Sequence, residues 1–266
     1  MKYIATISYG KDSTVMCDLL LKNGHPVDYI LFTDTLLEFP MMYEYKKKVE
    51  QYFLDRYGKE VITTKPESTF EEWCFGVIKD KNADYSGYIR GIPMVWCEPC
   101  YWRREAKIKP QEKIIKSLIG NEEYVTYIGF TLDETSRIMK KDEFKYPLIH
   151  DFKMSERNCQ EYLINQEMQN PLYNYFSRTG CAVCPAQSEK AWHEVWKHFK
   201  STWIYMEQIE HRLLSLQSLG MNVKNCYWFT DHRTCKQMEK KFKQIEKQGS
   251  LFDFSDEPLK DCFCKI

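Results

Sequence analysis

Several things are missing from this 266-residue sequence, and each absence narrows the reading. There is no excess of charge: 38 Lys and Arg face 38 Asp and Glu, so nothing global draws the chain to a nucleic acid or an anionic membrane. No run of about 18 apolar residues occurs, which argues against a membrane-spanning helix. Lys11 and Asp12 interrupt the apolar start where a secretory leader needs an unbroken stretch. There are no internal repeats and no low-complexity tract. The expectation is a cytoplasmic protein with no membrane partner. Cysteine, by contrast, is abundant. Eleven residues in a leaderless chain, an odd number, point to metal, cluster or redox chemistry rather than a disulfide framework. Aromatic residues reach 15 % of the chain, and they serve either a large core or stacking surfaces.

Along the chain, strand-like and helix-like segments alternate. Residues 3–8 read as a buried strand, 13–23 as a helix closed by Gly24, 27–32 as a second strand, 60–64 as a third and 124–131 as a fourth. Such alternation predicts βαβ units and a parallel sheet, with ligands at the carboxyl ends of the strands. Ser8–Asp12, Asp34 and Thr131–Arg137 all follow predicted strands and would share that edge. Residues 82–110 lose regularity and carry Cys97 and Cys100. After Pro185, Trp192, Val195, Phe199, Trp203, Met206, Ile209, Leu213 and Leu216 form the stripe of one long helix. A basic helix over 232–248 and a polar, cysteine-bearing tail follow. The expected architecture is a domain over 1–190 and a helical extension over 191–266.

The loop "SYGKDST", residues 8–14, joins the first strand to the first helix. A loop in that place aims backbone N–H groups and the helix dipole at a phosphate. Gly10 permits close approach, Ser8, Ser13 and Thr14 add hydroxyls, and Lys11 adds a charge. The loop is not the GxxxxGK[ST] pattern, because Ala5, not glycine, stands five residues before Gly10. Two further pairs stand out: Cys97-Glu98-Pro99-Cys100 and Cys181-Ala182-Val183-Cys184. Each turn brings two sulfurs toward one centre, and together they offer four thiolates to a metal. Zinc and an iron–sulfur cluster both accept that set.

These segments carry a resemblance. "SYGKDS" resembles the SGGKDS PP-loop of ATP pyrophosphatases, with Tyr9 in place of the first glycine. "FTDTLLEFPMMYEY", "YIGFTLDETSRI" and "NPLYNYFSRTGCAVCP" resemble, in order, three signatures of the phosphoadenosine phosphosulfate (PAPS) reductase family. The resemblance implies a Rossmann-like, adenine-nucleotide α-hydrolase-like α/β fold: a parallel sheet with helices on both faces and a C-terminal helical extension. It implies that Ser8, Tyr9, Gly10, Lys11, Asp12, Ser13, Thr14 and Asp34 lie at an adenine nucleotide, with Lys107 and Arg137 as further anion contacts. Members that split ATP into AMP and pyrophosphate keep a lysine like Lys11, whereas the sulfonucleotide reductases usually lack it. A lysine and Mg²⁺ stabilise the charge that gathers on departing pyrophosphate. Lys11 and Asp12 are thus the candidate catalytic residues, and Asp12 and Asp34 candidate aids to Mg²⁺.

The resemblance also favours a 4Fe-4S cluster on Cys97, Cys100, Cys181 and Cys184, with zinc as the alternative. Cys262 and Cys264 are candidate nucleophiles, as the reductases carry a thiol near the C-terminus. The expected function is an AMP-forming ATP pyrophosphatase that adenylylates an acceptor for sulfur transfer. The resemblance implies a sulfur donor such as a cysteine desulfurase; a nucleic acid (DNA or tRNA) and a small metabolite both fit as the acceptor, and further copies of the chain are a candidate partner. A PAPS or adenylylsulfate reductase and a non-catalytic zinc-containing binding subunit are the alternatives.

Overall fold

The structure is a computed structural model and describes residues 1–248; the expected roles of Cys262 and Cys264 fall outside the described residues. Its backbone divides into two compact units. The first holds Met1–Pro66 and Ala106–Thr179, and the second holds Glu67–Glu105 and the described residues from Gly180 onward. The chain thus crosses between units three times, where one boundary at residue 190 was expected.

In the first unit, β1 (Lys2–Ile7), β2 (Tyr29–Thr33), β3 (Val61–Thr64), β4 (Tyr124–Tyr127) and β5 (Phe144–Lys145) form one sheet. Their order is β3-β2-β1-β4-β5, and each neighbouring pair is parallel. β1 is central, with Ile4 opposite Tyr29 on one side and Thr126 on the other. Central parallel strands are covered on both faces, so they read as apolar runs. Ile4, Ala5 and Ile7 of β1 and Ile30, Leu31 and Phe32 of β2 are accordingly buried. The helix Lys109–Ile119 lays Ile114, Ile115, Leu118 and Ile119 over Ile4 and Leu31. The fold is Rossmann-like α/β.

Helix α1 (Lys11–Lys22) starts two residues earlier than the apolar pattern suggests. Gly10 is its N-cap, and the Thr14 N–H donates to the Gly10 carbonyl at 3.1 Å, so Lys11 and Asp12 already lie in the first turn. Helix α2 (Pro40–Tyr57) begins with proline, whose missing N–H is no loss there, and ends at Gly58 with φ of 64°. It buries Met42, Tyr45, Val49 and Phe53. Strand β4 is shorter than expected, and the two-residue β5 was not anticipated.

In the second unit, the irregular stretch extends only to Cys100, and helical turns begin at Tyr101. The expected single long helix is two, Glu189–His198 and Lys200–Ser218, broken at Phe199 (φ −123°, ψ 62°). The stripe survives because backbone bonds run through the break: Phe199 N–H to the Val195 carbonyl and Trp203 N–H to the Phe199 carbonyl. Trp192, Val195, Trp203, Met206, Ile209 and Leu213 are all buried. The third helix is Cys235–Gln248, shorter than expected because His232 adopts a φ of 57°. Trp203 packs on Phe242 at 5.9 Å, Trp228 stacks on Phe70 at 5.9 Å, and the Trp228 indole N–H donates to the Met206 carbonyl. Trp102, Trp192, Trp203, Trp228, Phe229 and Phe242 of this unit are buried core, whereas Tyr85 and Tyr101 are exposed. No described helix is long and apolar enough to cross a membrane.

Candidate nucleotide site

Strand order reverses between β1 and β4, because α1 carries the chain to β2 on one side while β4 lies on the other. In such sheets the crevice at the carboxyl ends of the two diverging strands is where ligands bind. The loop Ser8–Gly10 leaves β1 there, and residues 128–137 leave β4 there. Gly129 brings the two together. A β-carbon on it would lie 2.9 Å from the Ser13 Cα and 3.1 Å from the Ser13 N, so only glycine lets the β4 edge press on the first turn of α1. At Gly10 a β-carbon would lie 3.0 Å from the Thr179 Oγ1.

Tyr9 stands where the PP-loop pattern has glycine, and it adopts the left-handed φ of 55° that glycine takes freely. A β-carbon there costs about 1–2 kcal/mol. The rest of the residue offsets that cost. Its ring is fully buried, meets Phe32 edge-on at 4.8 Å, and its hydroxyl donates to Glu50 Oε1 at 2.8 Å. Its carbonyl accepts from Asn170 Nδ2 at 2.9 Å. The departure from the pattern therefore keeps the backbone shape while adding a core anchor. Within the loop, Ser13 Oγ accepts the Ser8 N–H at 3.0 Å and lies 3.0 Å from Ser8 Oγ. Thr14 is buried beneath the turn.

Lys11 is buried, and its ammonium donates to Glu156 Oε2 at 2.7 Å. Burial alone would lower its pKa, but the Glu156 hydrogen bond and the nearby Tyr173, Asp12 and Glu156 outweigh it and hold the net value above that of an ordinary lysine. Lys11 therefore stays charged. Arg137 donates to Glu134 Oε1 at 2.6 Å and lies over the Phe130 ring, 4.5 Å from its centroid. One carboxylate oxygen each from Asp12, Glu134 and Glu156 falls within 4.8 Å of the others. Glu156 is delivered by the helix Glu156–Asn165, whose start is fixed by the Ser155 and Asn158 capping box and by its own N–H on Asp133 Oδ2 at 2.7 Å. The buried Cys159 thiol sits one turn further along; burial first, and then the Asp12 charge, push it well above the usual thiol range.

Three hard oxygen donors around one point match what Mg²⁺ prefers. The residues fit the divalent ion, with Glu134 and Glu156 joining Asp12. Asp34 lies outside that group: its Oδ1 accepts from the Leu36 N–H at 2.8 Å and the Tyr43 hydroxyl at 2.9 Å. Its own N–H is held by the Thr64 carbonyl at the end of β3. Lys107 falls in the turn Arg104–Ile108, where its charge opposes the effect of burial on the Glu38 carboxyl; burial wins, and that pKa is raised. Glu156, Asn170 and Tyr173 were not singled out from the sequence.

The cysteine turns belong to the second unit, both of them. Among the described residues, Cys17, Cys74, Cys159, Cys226 and Cys235 are buried, whereas Cys97, Cys100, Cys181 and Cys184 are exposed or half-exposed. Buried cysteine packs as a small hydrophobe, so the contrast leaves the four in Cys-x-x-Cys turns as the more accessible thiols of the described residues. The Cys184 N–H donates to the Cys181 carbonyl at 3.1 Å, and Gln187 Nε2 donates to the Cys181 and Ala182 carbonyls. In the other turn, both oxygens of Glu98 take a hydrogen bond from Lys224 Nζ at 2.7 Å. By donor chemistry alone, four thiolates of this kind suit zinc or an iron–sulfur cluster.

A parallel sheet of this order, with a glycine-bearing loop and charged groups at its switch point, is an α/β protein with its candidate ligand crevice at the strands' carboxyl ends. Residues 2–187 match the model of the phosphoadenosine phosphosulfate reductase domain, and the chain belongs to that family. An uncharacterized protein of Methanocaldococcus jannaschii is 26 % identical over 245 residues, which cover 86 % of this chain and 46 % of that protein. The chain thus spans about half the length of that curated relative. A crystal structure of PAPS reductase from Candida auris, a phosphate complex, is 19 % identical with a TM-score of 0.45 and covers 68 % of this chain and 81 % of its own.

Proposed function

We propose that the chain is an AMP-forming ATP pyrophosphatase that activates an acceptor for sulfur transfer. The observation that carries this reading is Lys11: a buried, charged lysine in the first turn of α1, beside three converging carboxylates. A sulfonucleotide reductase breaks no phosphoanhydride and has little use for that arrangement. An enzyme that releases pyrophosphate gains from it most in the transition state, where charge on the leaving group is greatest.

An oxygen of the acceptor attacks the α-phosphorus of ATP, the bond to the bridging α–β oxygen breaks, and pyrophosphate leaves with the electron pair. A sulfur nucleophile then displaces AMP from the activated acceptor. Gly10 and the first turn of α1 hold phosphate oxygens, Ser8, Ser13 and Thr14 supply hydroxyls, and Lys11 faces the departing pyrophosphate. Arg137 supplies a second cation, while Asp34 and Lys107 line the same edge. Asp12, Glu134 and Glu156 would hold Mg²⁺, which supplies neutralising charge for the phosphates. Cys97, Cys100, Cys181 and Cys184 would hold a 4Fe-4S cluster or zinc in the second unit. A cysteine desulfurase-type donor and a DNA or tRNA acceptor complete the reading.

The family match favours one other reading, a thiol-dependent PAPS or adenylylsulfate reductase. Product analysis separates the two: AMP and pyrophosphate from ATP support the first, and sulfite from either sulfonucleotide supports the second. Anaerobic purification with an absorption spectrum and metal analysis decides the cysteine site, where a colourless, zinc-loaded protein would defeat the cluster assignment.

A further inference from the structure

Two residues outside the phosphate loop bracket it. Asn170 is completely buried, and its side chain is used on both sides. Nδ2 donates to the Tyr9 carbonyl at 2.9 Å, and Oδ1 accepts the Leu172 N–H at 2.9 Å. Three residues later, the Tyr173 hydroxyl accepts the Lys11 N–H at 2.9 Å. The Tyr173 ring also lies 5.2 Å from the Lys11 ammonium, and its hydroxyl would be 3.5 Å from a β-carbon on Gly10. Both residues come from one short 3₁₀ turn, Pro171–Asn174, for which Asn170 is the cap.

We propose that Asn170 and Tyr173 are positioning residues of the phosphate site, a clasp that fixes the peptide groups on either side of Gly10. The inference rests on the phosphate-site reading above. Its physical basis is the Tyr9 conformation. A glycine rests at φ of 55° unaided, whereas a residue with a side chain needs outside contacts to stay there. Glu50 and Phe32 fix the Tyr9 ring, but a fixed ring leaves the Tyr9–Gly10 peptide able to rotate. The Asn170 amide removes that freedom by holding its carbonyl. Tyr173 then sets the direction of the first amide of α1 and, through its ring, the course of the Lys11 side chain. With its N–H taken by Tyr173, Lys11 enters α1 in one orientation, and the other amides of that turn are preset for an anion.

The variant to make is Tyr173→Phe, which keeps the ring and loses only the hydroxyl, with Asn170→Ala beside it. Dissociation constants of the full chain for ATP, inorganic pyrophosphate and adenosine are measured by calorimetry, with thermal unfolding as the folding control. The clasp predicts that Tyr173→Phe weakens pyrophosphate and ATP about tenfold and leaves adenosine unchanged. Asn170→Ala does the same or more if it folds. Unchanged pyrophosphate affinity in a folded Tyr173→Phe overturns the inference. Equal losses for adenosine and pyrophosphate also overturn it, by showing general loosening. An unmodified chain that binds neither ATP nor pyrophosphate defeats the phosphate-site reading itself, and the clasp with it.

Discussion

The phosphate loop in the first unit and the first cysteine turn in the second are built by different means. The loop at residues 8–14 is held from far along the chain: Tyr9 by Glu50 and Asn170, Lys11 by Glu156 and Tyr173, and Ser13 by the close approach of Gly129. The turn at Cys97–Cys100 takes part of its support from near neighbours, the Cys97 and Glu98 N–H groups donating to the Met94 carbonyl, and part from the Lys224 ion pair to Glu98. A site that must present fixed dipoles to a ligand needs many outside constraints. A site that a metal closes by its own bonds needs only two thiols at the right spacing, because metal binding supplies the rest.

Substitutions sharpen that contrast. The largest effect is expected at Lys11. Lys11→Ala should cost about 100- to 1,000-fold in pyrophosphate release, the scale of losing one charge-stabilising group. Metal bound at the cysteine turns should stay at the wild-type level, as elemental analysis would show. A protein that loses both together would tie the two regions more closely than this account does.

Next comes the anchor of the loop. Tyr9→Ala removes a fully buried ring, and its strained backbone stays strained, so unfolding should be easier by about 3–5 kcal/mol in urea titrations. Tyr9→Phe keeps the ring against Phe32 and loses only the hydrogen bond to Glu50. About 1 kcal/mol is expected there. Similar losses from the two variants would mean that the hydroxyl, not the ring, anchors the loop.

Between these falls a pH effect confined to the second unit. Glu210 is buried, and its carboxyl is pushed up to about 7 by burial, partly relieved by the N–H and thiol of Cys235. The folded state therefore holds a proton more tightly than the unfolded chain, whose carboxyl titrates near 4.5. The associated stability is fully present below pH 4.5 and is lost as pH rises through about 7, in total about 3 kcal/mol. Glu210→Gln should flatten that part of the stability curve across the same range. An unchanged slope would place the titration elsewhere.

How much was legible follows from the range of each interaction. The apolar runs of β1 and β2 announced the sheet because central parallel strands are buried on both faces. The two-residue β5 leaves no periodicity to read. The Phe199 break was hidden because the buried stripe continues across it. Arg137 and Glu134 stand three residues apart in the chain, but nothing local ties Lys11 to Glu156 or Tyr173, more than 140 residues away. The family-like segment at 170–184 was readable as a pattern, and only the fold shows Asn170 reaching Tyr9. Tyr9 itself looked like a defect in the loop. Its left-handed backbone and buried ring make it a substitute for glycine with an anchor attached.

The central claim is that pyrophosphate leaves at Lys11. The direct test is to incubate the anaerobically purified 266-residue chain with Mg²⁺ and α-labelled ATP, in enzyme excess, and to separate the products. The account predicts labelled AMP, or AMP joined to an acceptor, with an equal amount of pyrophosphate, formed about 100- to 1,000-fold more slowly by Lys11→Ala. Intact ATP or labelled ADP from the wild-type chain, with sulfite released from PAPS or adenylylsulfate, would contradict it.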